Sequence, residues 1–165
     1  MGFTGQIAKH LREVHFGGNW TSSSLKEILR DVTWKQATTR IHSFNTIAAL
    51  VYHINYFVGA LLKVLQGKPL DTKDDYSFNH PPIVSQEDWA ALLEKVWVDA
   101  ENAARLIEQL PQSTLEKDFA DKKYGTYYRN LHGIIEHVHY HLGQIVVIKA
   151  LLAQLHAHEE LVSKE

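Results

Sequence analysis

Apolar residues recur every three or four positions through four long stretches of the chain, and no stretch sustains an alternation of period two. The pattern predicts four long helices and an all-α fold. The first helix covers residues 4–16, with Ile7, Leu11 and Val14 on one side and Gly17-Gly18 at its end. The second covers NTIAALVYHINYFVGALLKVLQG, residues 45–67. Its apolar line is Ile47, Leu50, Ile54, Phe57, Leu61 and Leu65, and Gly67 and Pro69 stop it. The third opens at VSQEDW, where Ser85 caps the helix and Glu87 and Asp88 suit the positive end of its dipole. Val84 and Trp89 occupy the positions of a hydrophobic staple there. The line Trp89, Leu93, Val96, Ala100, Ala103, Ile107 and Leu110 then runs to Pro111. The fourth helix starts near Tyr127 and reaches about Gln154, followed by a polar, fraying tail over residues 155–165.

A shorter helical piece, SSSLKEILRDVT, lies near the start, with the serine run as its cap and Leu25, Ile28, Leu29 and Val32 inside. The connection between the second and third long helices, KPLDTKDDYSFNHPPIV over residues 68–84, is long for a bundle joint. Such a length suits a crossover between helices that are not simple antiparallel neighbours. At 165 residues, with no repeats or low-complexity segments, the chain is expected to form one domain, a four-helix bundle with an extra short helix.

Composition narrows the function classes. Apolar residues make up 45% and charged residues 22%, an ordinary globular profile. The net charge of −2 and the lack of a basic stripe argue against a nucleic-acid partner. The uncharged apolar run of residues 46–62 is short for a membrane span and contains His53 and Asn55, so it reads as a core helix and no membrane partner is expected. The start, MGFTGQIAKH, carries no apolar signal segment, which leaves the cytoplasm as the default compartment. There are 11 histidines and no cysteine, so disulfides, thiolate metal sites and a cysteine nucleophile are all excluded.

Histidine placement then matters. Residues four apart differ by only about 40° around a helix, so His137 and His141 point the same way. They share that side with Ile134, Val138, Ile145, Ile148 and Leu152, the line assigned to the core. His53, between Leu50 and Phe57, faces inward from the second helix, whereas His132 and His139 fall on the opposite, solvent side of the fourth. A lone inward histidine is usually a hydrogen-bonded core residue. Three unsatisfied rings would cost roughly 1–3 kcal/mol each against a domain stability of only ~5–15 kcal/mol. Either each has its own partner or they share a divalent cation, as an i, i+4 histidine pair completed by a distant third ligand does. HExxH is absent, and the single ExxH of Glu136 and His139 has no second copy, which removes the zinc-protease and di-iron templates.

The segment His137-Val-His-Tyr-His141-Leu-Gly-Gln144-Ile resembles the last-helix motif of the DinB/YfiT-like superfamily. TIAALVYHINYF resembles its second-helix motif, and NWTSSSLKEILRDVTWKQA and QEDWAALLEKV are similar to members of that group. The resemblance spans residues 19–152. It implies an up-down-down-up four-helix bundle, in agreement with the long connection, and one divalent metal ion (zinc, nickel or iron) on His53, His137 and His141. It also implies a metal-dependent transferase of the small-thiol type or a hydrolase, acting on a small molecule. The alternative is a non-catalytic, metal-binding bundle that receives a ligand or partner. A low-molecular-weight thiol is the expected cosubstrate, since the chain supplies no sulfur nucleophile of its own. Gln144 is one turn beyond His141 and could support it or bond to a neighbouring helix; Trp20, Tyr56 and His80 are candidate pocket residues. A homodimer is expected, with Tyr124, Tyr127 and Tyr128 as candidate contributors. Neither the metal's identity nor the acid–base partner is legible at this level.

Overall fold

A computed structural model describes the backbone of residues 1–162 and the side chains through residue 155. It contains α1 (Phe3–Phe16), α2 (Leu25–Leu29), α3 (Trp34–Thr38), α4 (Ile47–Leu65), α5 (Gln86–Gln109) and α6 (Tyr127–Val162). Among the described residues there is no strand, only an isolated bridge between Asp118 and Thr126. The fold is all-α, as expected.

Side-chain pairings give the helix directions. Phe16 packs 5.9 Å from Trp97, while Arg12, one turn earlier, is bonded to Glu101 and Glu108, so α1 and α5 are antiparallel. Phe57 lies 5.0 Å from His137, and Leu50 borders the same cavity as Ile148, so α4 and α6 are antiparallel too. His10 lies beside His139, and α2, which follows α1, meets Lys149 through the Ile28 carbonyl, so α1 and α6 are parallel. The long helices therefore run up, down, down, up. Because α4 and α5 are parallel, the chain must travel back along the bundle between them, and residues 66–85 make that return.

Local chemistry sets the boundaries. Ser24, Thr46 and Ser85 each accept a bond from a backbone N–H three residues on, capping α2, α4 and α5. Gly67, at φ 74°, turns the chain out of α4 in a conformation that side chains resist. The helix α4 is long and apolar enough to cross a membrane by length and composition, yet 72% of its most apolar window is buried inside the bundle. Ile47, Val51, Ile54 and Val58 are fully buried on one side and Ala49, Ala60 and Val64 are buried on another, which accounts for its apolar character on more than one face. Across from it, Trp89 is fully buried and its Nε1–H donates to the Val32 carbonyl at 2.9 Å. Truncating such a residue to alanine typically costs about 3–5 kcal/mol.

Four expectations need correction. The five-residue helix α3 was not foreseen, although Thr33 and Gln36 form a reciprocal capping box at its start. Val84 is 69% exposed and makes no staple; its backbone N–H instead donates to Asp88. In α6, Val138, Ile145, Ile148 and Leu152 are buried as expected, but Ile134 is only half-buried and Leu131, Ile135 and Leu142 join the core, because the helix packs against both α4 and α1. The helical backbone of α6 continues to Val162 rather than ending near Gln154. The rest of the polar tail, residues 163–165, lies outside the described residues.

Candidate metal centre

His53 comes from the middle of α4 and His137 and His141 from successive turns of α6. The fold brings all three together. The Nε2 atoms of His53 and His137 are 3.0 Å apart, as are those of His137 and His141. The rings form one cluster, with centroids 4.4 Å apart for His137 and His141 and 4.6 Å apart for His53 and His141. His53 and His141 are buried and His137 is half-buried.

The crossover covers the cluster. The Tyr56 hydroxyl, on α4, donates to the Lys73 carbonyl and accepts from the Lys73 N–H, both at 3.0 Å. That clamp seats residues 74–78 over α4, and Phe78 stacks on His53 with centroids 4.0 Å apart and planes 9° from parallel. Phe57 closes another side, edge-on to both His53 and His137 at 5.0 Å. These rings limit water at the nitrogens.

Hydrogen bonding distinguishes the three imidazoles. The Nδ1–H of His141 donates to Gln144 Oε1 at 2.7 Å, which leaves its Nε2 as a bare lone pair aimed at the other rings. The buried Nδ1 atoms of His53 and His137 have no hydrogen-bond partner among the described residues. A neutral imidazole nitrogen either donates or accepts. His137 Nε2 therefore cannot close both 3.0 Å contacts as linear hydrogen bonds, and the cluster does not satisfy itself.

Protonation is suppressed throughout. Burial pushes His53 and His137 down to about 4, reinforced by the proximity of the other rings. Asp74 and the backbone of Ser77 oppose the shift at His53 only in part. His141 is also lowered by burial, with the Gln144 bond acting in the opposite sense. At neutral pH the three rings are therefore uncharged, and a cation entering the cluster meets no imidazolium.

The donor set fits a divalent ion. Two nitrogens each about 2.0–2.1 Å from a shared ion stand roughly 2.8–3.4 Å apart for bond angles between square and tetrahedral. The observed 3.0 Å separations fall in that range. Among the described residues, His53, His137 and His141 are the group of potential ligands whose nitrogens converge.

The family model of the DinB superfamily matches residues 19–145, more than half of the chain and including all three histidines and Gln144. The chain belongs to the DinB superfamily. This DinB family is metal-binding, in keeping with the convergent nitrogens. No significant match to a curated protein or to a solved structure accompanies the family match.

The other candidates of this DinB-family chain separate cleanly. Gln144 bonds to His141 rather than to a neighbouring helix. Trp20 is 98% exposed and lines nothing, and His80 donates its Nδ1–H to the Pro81 carbonyl. Tyr127 packs against Phe119, whereas Tyr124 and Tyr128 are exposed. His139, expected in solvent, is half-buried beside His10 of α1, and burial lowers its basicity; His132 is half-buried against Tyr128.

Three features escaped the sequence reading. Phe78 and Asp74 come from the irregular crossover, where no periodicity aims a side chain. A cavity of about 480 Å³ opens beside His137, lined by Phe57, Leu61, Ile134, Gly133, Asn130 and Arg129 among others. Gly133 and Asn130 lie four and seven positions before His137, the same helical spacing that relates the two histidines, and that signal was present.

Proposed function

We propose that His53, His137 and His141 hold one divalent ion through their Nε2 atoms, and that the protein is a metal-dependent enzyme acting on a small molecule. The preferred reaction class is transfer of a small thiol onto an electrophile, with hydrolysis as the related chemistry. The observation that carries this reading is the meeting of three uncharged imidazoles whose Nε2 atoms converge and cannot all satisfy one another.

Three neutral nitrogen ligands leave coordination positions free for substrate, unlike closed structural sites. An ion bound there supplies Lewis acidity, enough to favour the ionised form of a thiol or water at neutral pH. Zinc, nickel and iron all suit imidazole donors. The residues do the rest. Gln144 fixes the tautomer of His141 so that Nε2 faces inward. Phe57 and Phe78 wall the nitrogens from bulk water, and the cavity beside His137 gives a substrate room to approach. The chain contains no cysteine, so a sulfur nucleophile must arrive with the cosubstrate.

The test is a matrix of low-molecular-weight thiols against epoxides, alkyl halides and activated esters. It is run on metal-loaded protein, chelated protein and the His137→Ala variant. Turnover that appears with the metal and vanishes in the other two samples is the expected result. A protein that keeps one ion per chain yet turns over nothing in the matrix would instead be a non-catalytic, metal-binding module.

A further inference from the structure

The cavity beside His137 has two chemically different ends. Near the histidines it is aromatic, with Phe57 at the wall. At its other end stand Arg129 and Asn130, in the first turn of α6. Eight residues of helix separate Arg129 from His137, about 12 Å along the axis. Both side chains border the same space.

Among the described residues the Arg129 guanidinium makes no hydrogen bond or ion pair, whereas Arg12 is bonded to two glutamates. Arg129 itself is exposed, and its stem lies against the turn before α6. Gly125, at φ 77°, passes so close beneath it that a Cβ there would lie 3.1 Å from Arg129 Cδ. Asn130 fixes the same turn by donating to the carbonyls of Tyr124 and Thr126. An adjoining cavity shares Leu70, Phe119 and Tyr124 and adds Lys68 and Lys123. Its one carboxylate, Asp121, is committed to the backbone N–H of Lys123. The far end is therefore net positive. Asp74 also borders the cavity, and its charge acts on His53, so the negative charge of the lining lies toward the histidines. Between the two ends Gly133 leaves open space where a side chain would stand.

We infer that this cavity receives a small substrate bearing a carboxylate, which pairs with Arg129 while the reactive atom of the substrate points to the His53–His137–His141 nitrogens. A planar guanidinium matches a carboxylate through two parallel N–H bonds. One unpaired arginine opposite Asp74 suits a monoanion better than a phosphate dianion. The volume, about 480 Å³, is that of an ordinary small-molecule pocket. The inference names the substrate class for the proposed reaction and rests on that reading for the reactive end of the ligand.

The experiment compares 6-mercaptohexanoate with 6-mercaptohexanamide, which differ only in the charged group and are long enough to span the cavity, on cobalt-loaded protein. Sulfur-to-cobalt absorption reports binding, and cobalt content is measured for every variant. In the wild type the carboxylate should bind ~10-fold or more tightly than the amide, the scale of a charge-assisted bond. Arg129→Met should abolish the preference with cobalt content unchanged. Gly133→Val, which fills open space on a helix, should weaken both thiols together, again without metal loss. Inorganic phosphate should compete poorly in the wild type; competition as strong as that of hexanoate would overturn the carboxylate assignment. Equal affinities for acid and amide, a preference that survives Arg129→Met, or no binding of either thiol by cobalt-loaded protein would also overturn it. Should the protein take up no metal, the proposed function fails by itself. The carboxylate preference is then read on the metal-free protein from ligand proton line widths, where equal broadening by acid and amide overturns the inference.

Discussion

His15 and the His53–His137–His141 cluster put imidazoles into the same bundle and handle their burial differently. His15 is fully buried in α1 and donates its Nδ1–H to the Leu11 carbonyl one turn back at 2.8 Å, leaving only Nε2 without a partner. It solves most of its problem within its own helix. The three others turn their Nε2 atoms toward one another across two helices. Burial pushes His15, His53 and His137 alike down to about 4. Burial and lowered basicity are therefore common to both regions and identify neither as a site. What differs is convergence, three lone-pair donors on one point against a single ring facing a carbonyl.

The largest effect that would break the comparison lies in metal affinity. Alanine at His53, His137 or His141 should lower it on the order of a thousand-fold, an equal share among ligands of the ~10–16 kcal/mol typical of a tight zinc site. His15→Leu should leave it unchanged. Competition against a chromogenic chelator measures both, and equal losses at His15 and His137 would erase the distinction.

Acid sensitivity is common to both regions, and a substitution at His15 isolates the share of that residue. His15 is neutral in both folded and unfolded chains above about pH 6.5. As the pH falls toward 4, only the unfolded chain takes up the proton, so stability that is complete above the unfolded value is lost across that window. The loss is on the order of 3 kcal/mol. His15→Leu should remove this share of the acid sensitivity, read as the difference between urea midpoints at pH 7 and pH 4.5. Parallel losses in wild type and variant would contradict the account of His15.

Smaller effects sharpen the picture of the cluster. Gln144→Leu releases the tautomer of His141 and should weaken metal binding by about 10–100-fold without changing the one-ion stoichiometry. Tyr56→Phe removes both bonds to Lys73 and should cost about 1 kcal/mol of stability by chemical denaturation. It should also speed exchange of the backbone amides of residues 73–78, since the crossover loses its clamp to α4.

Much of this was legible in the sequence because helices report themselves through periodicity. The spacing of Leu50, Ile54 and Leu61, the cap at Ser85 and the breaker at Gly67 place α4 and α5 to within a few residues. The i, i+4 relation of His137 and His141 put both rings on one face, and the position of His53 in its apolar line turned it inward. What stayed hidden depends on tertiary contact. A five-residue helix such as α3 is too short to show a period, so its Thr33–Gln36 box passed unnoticed. Of the core line expected on α6 only Ile134 turns partly outward, because two partners, α1 and α4, share the helix, and this also takes His139 out of solvent. Phe78 reaches His53 only because Tyr56 ties the crossover down, a fact that no local pattern encodes.

Elemental analysis of untagged protein, purified without a metal-affinity column and set beside His53→Ala, bears most directly on the central claim. One divalent ion per chain in the wild type and none in the variant is the predicted result. An ion content far below one per chain in both, after incubation with zinc, nickel and ferrous iron in turn, would contradict it.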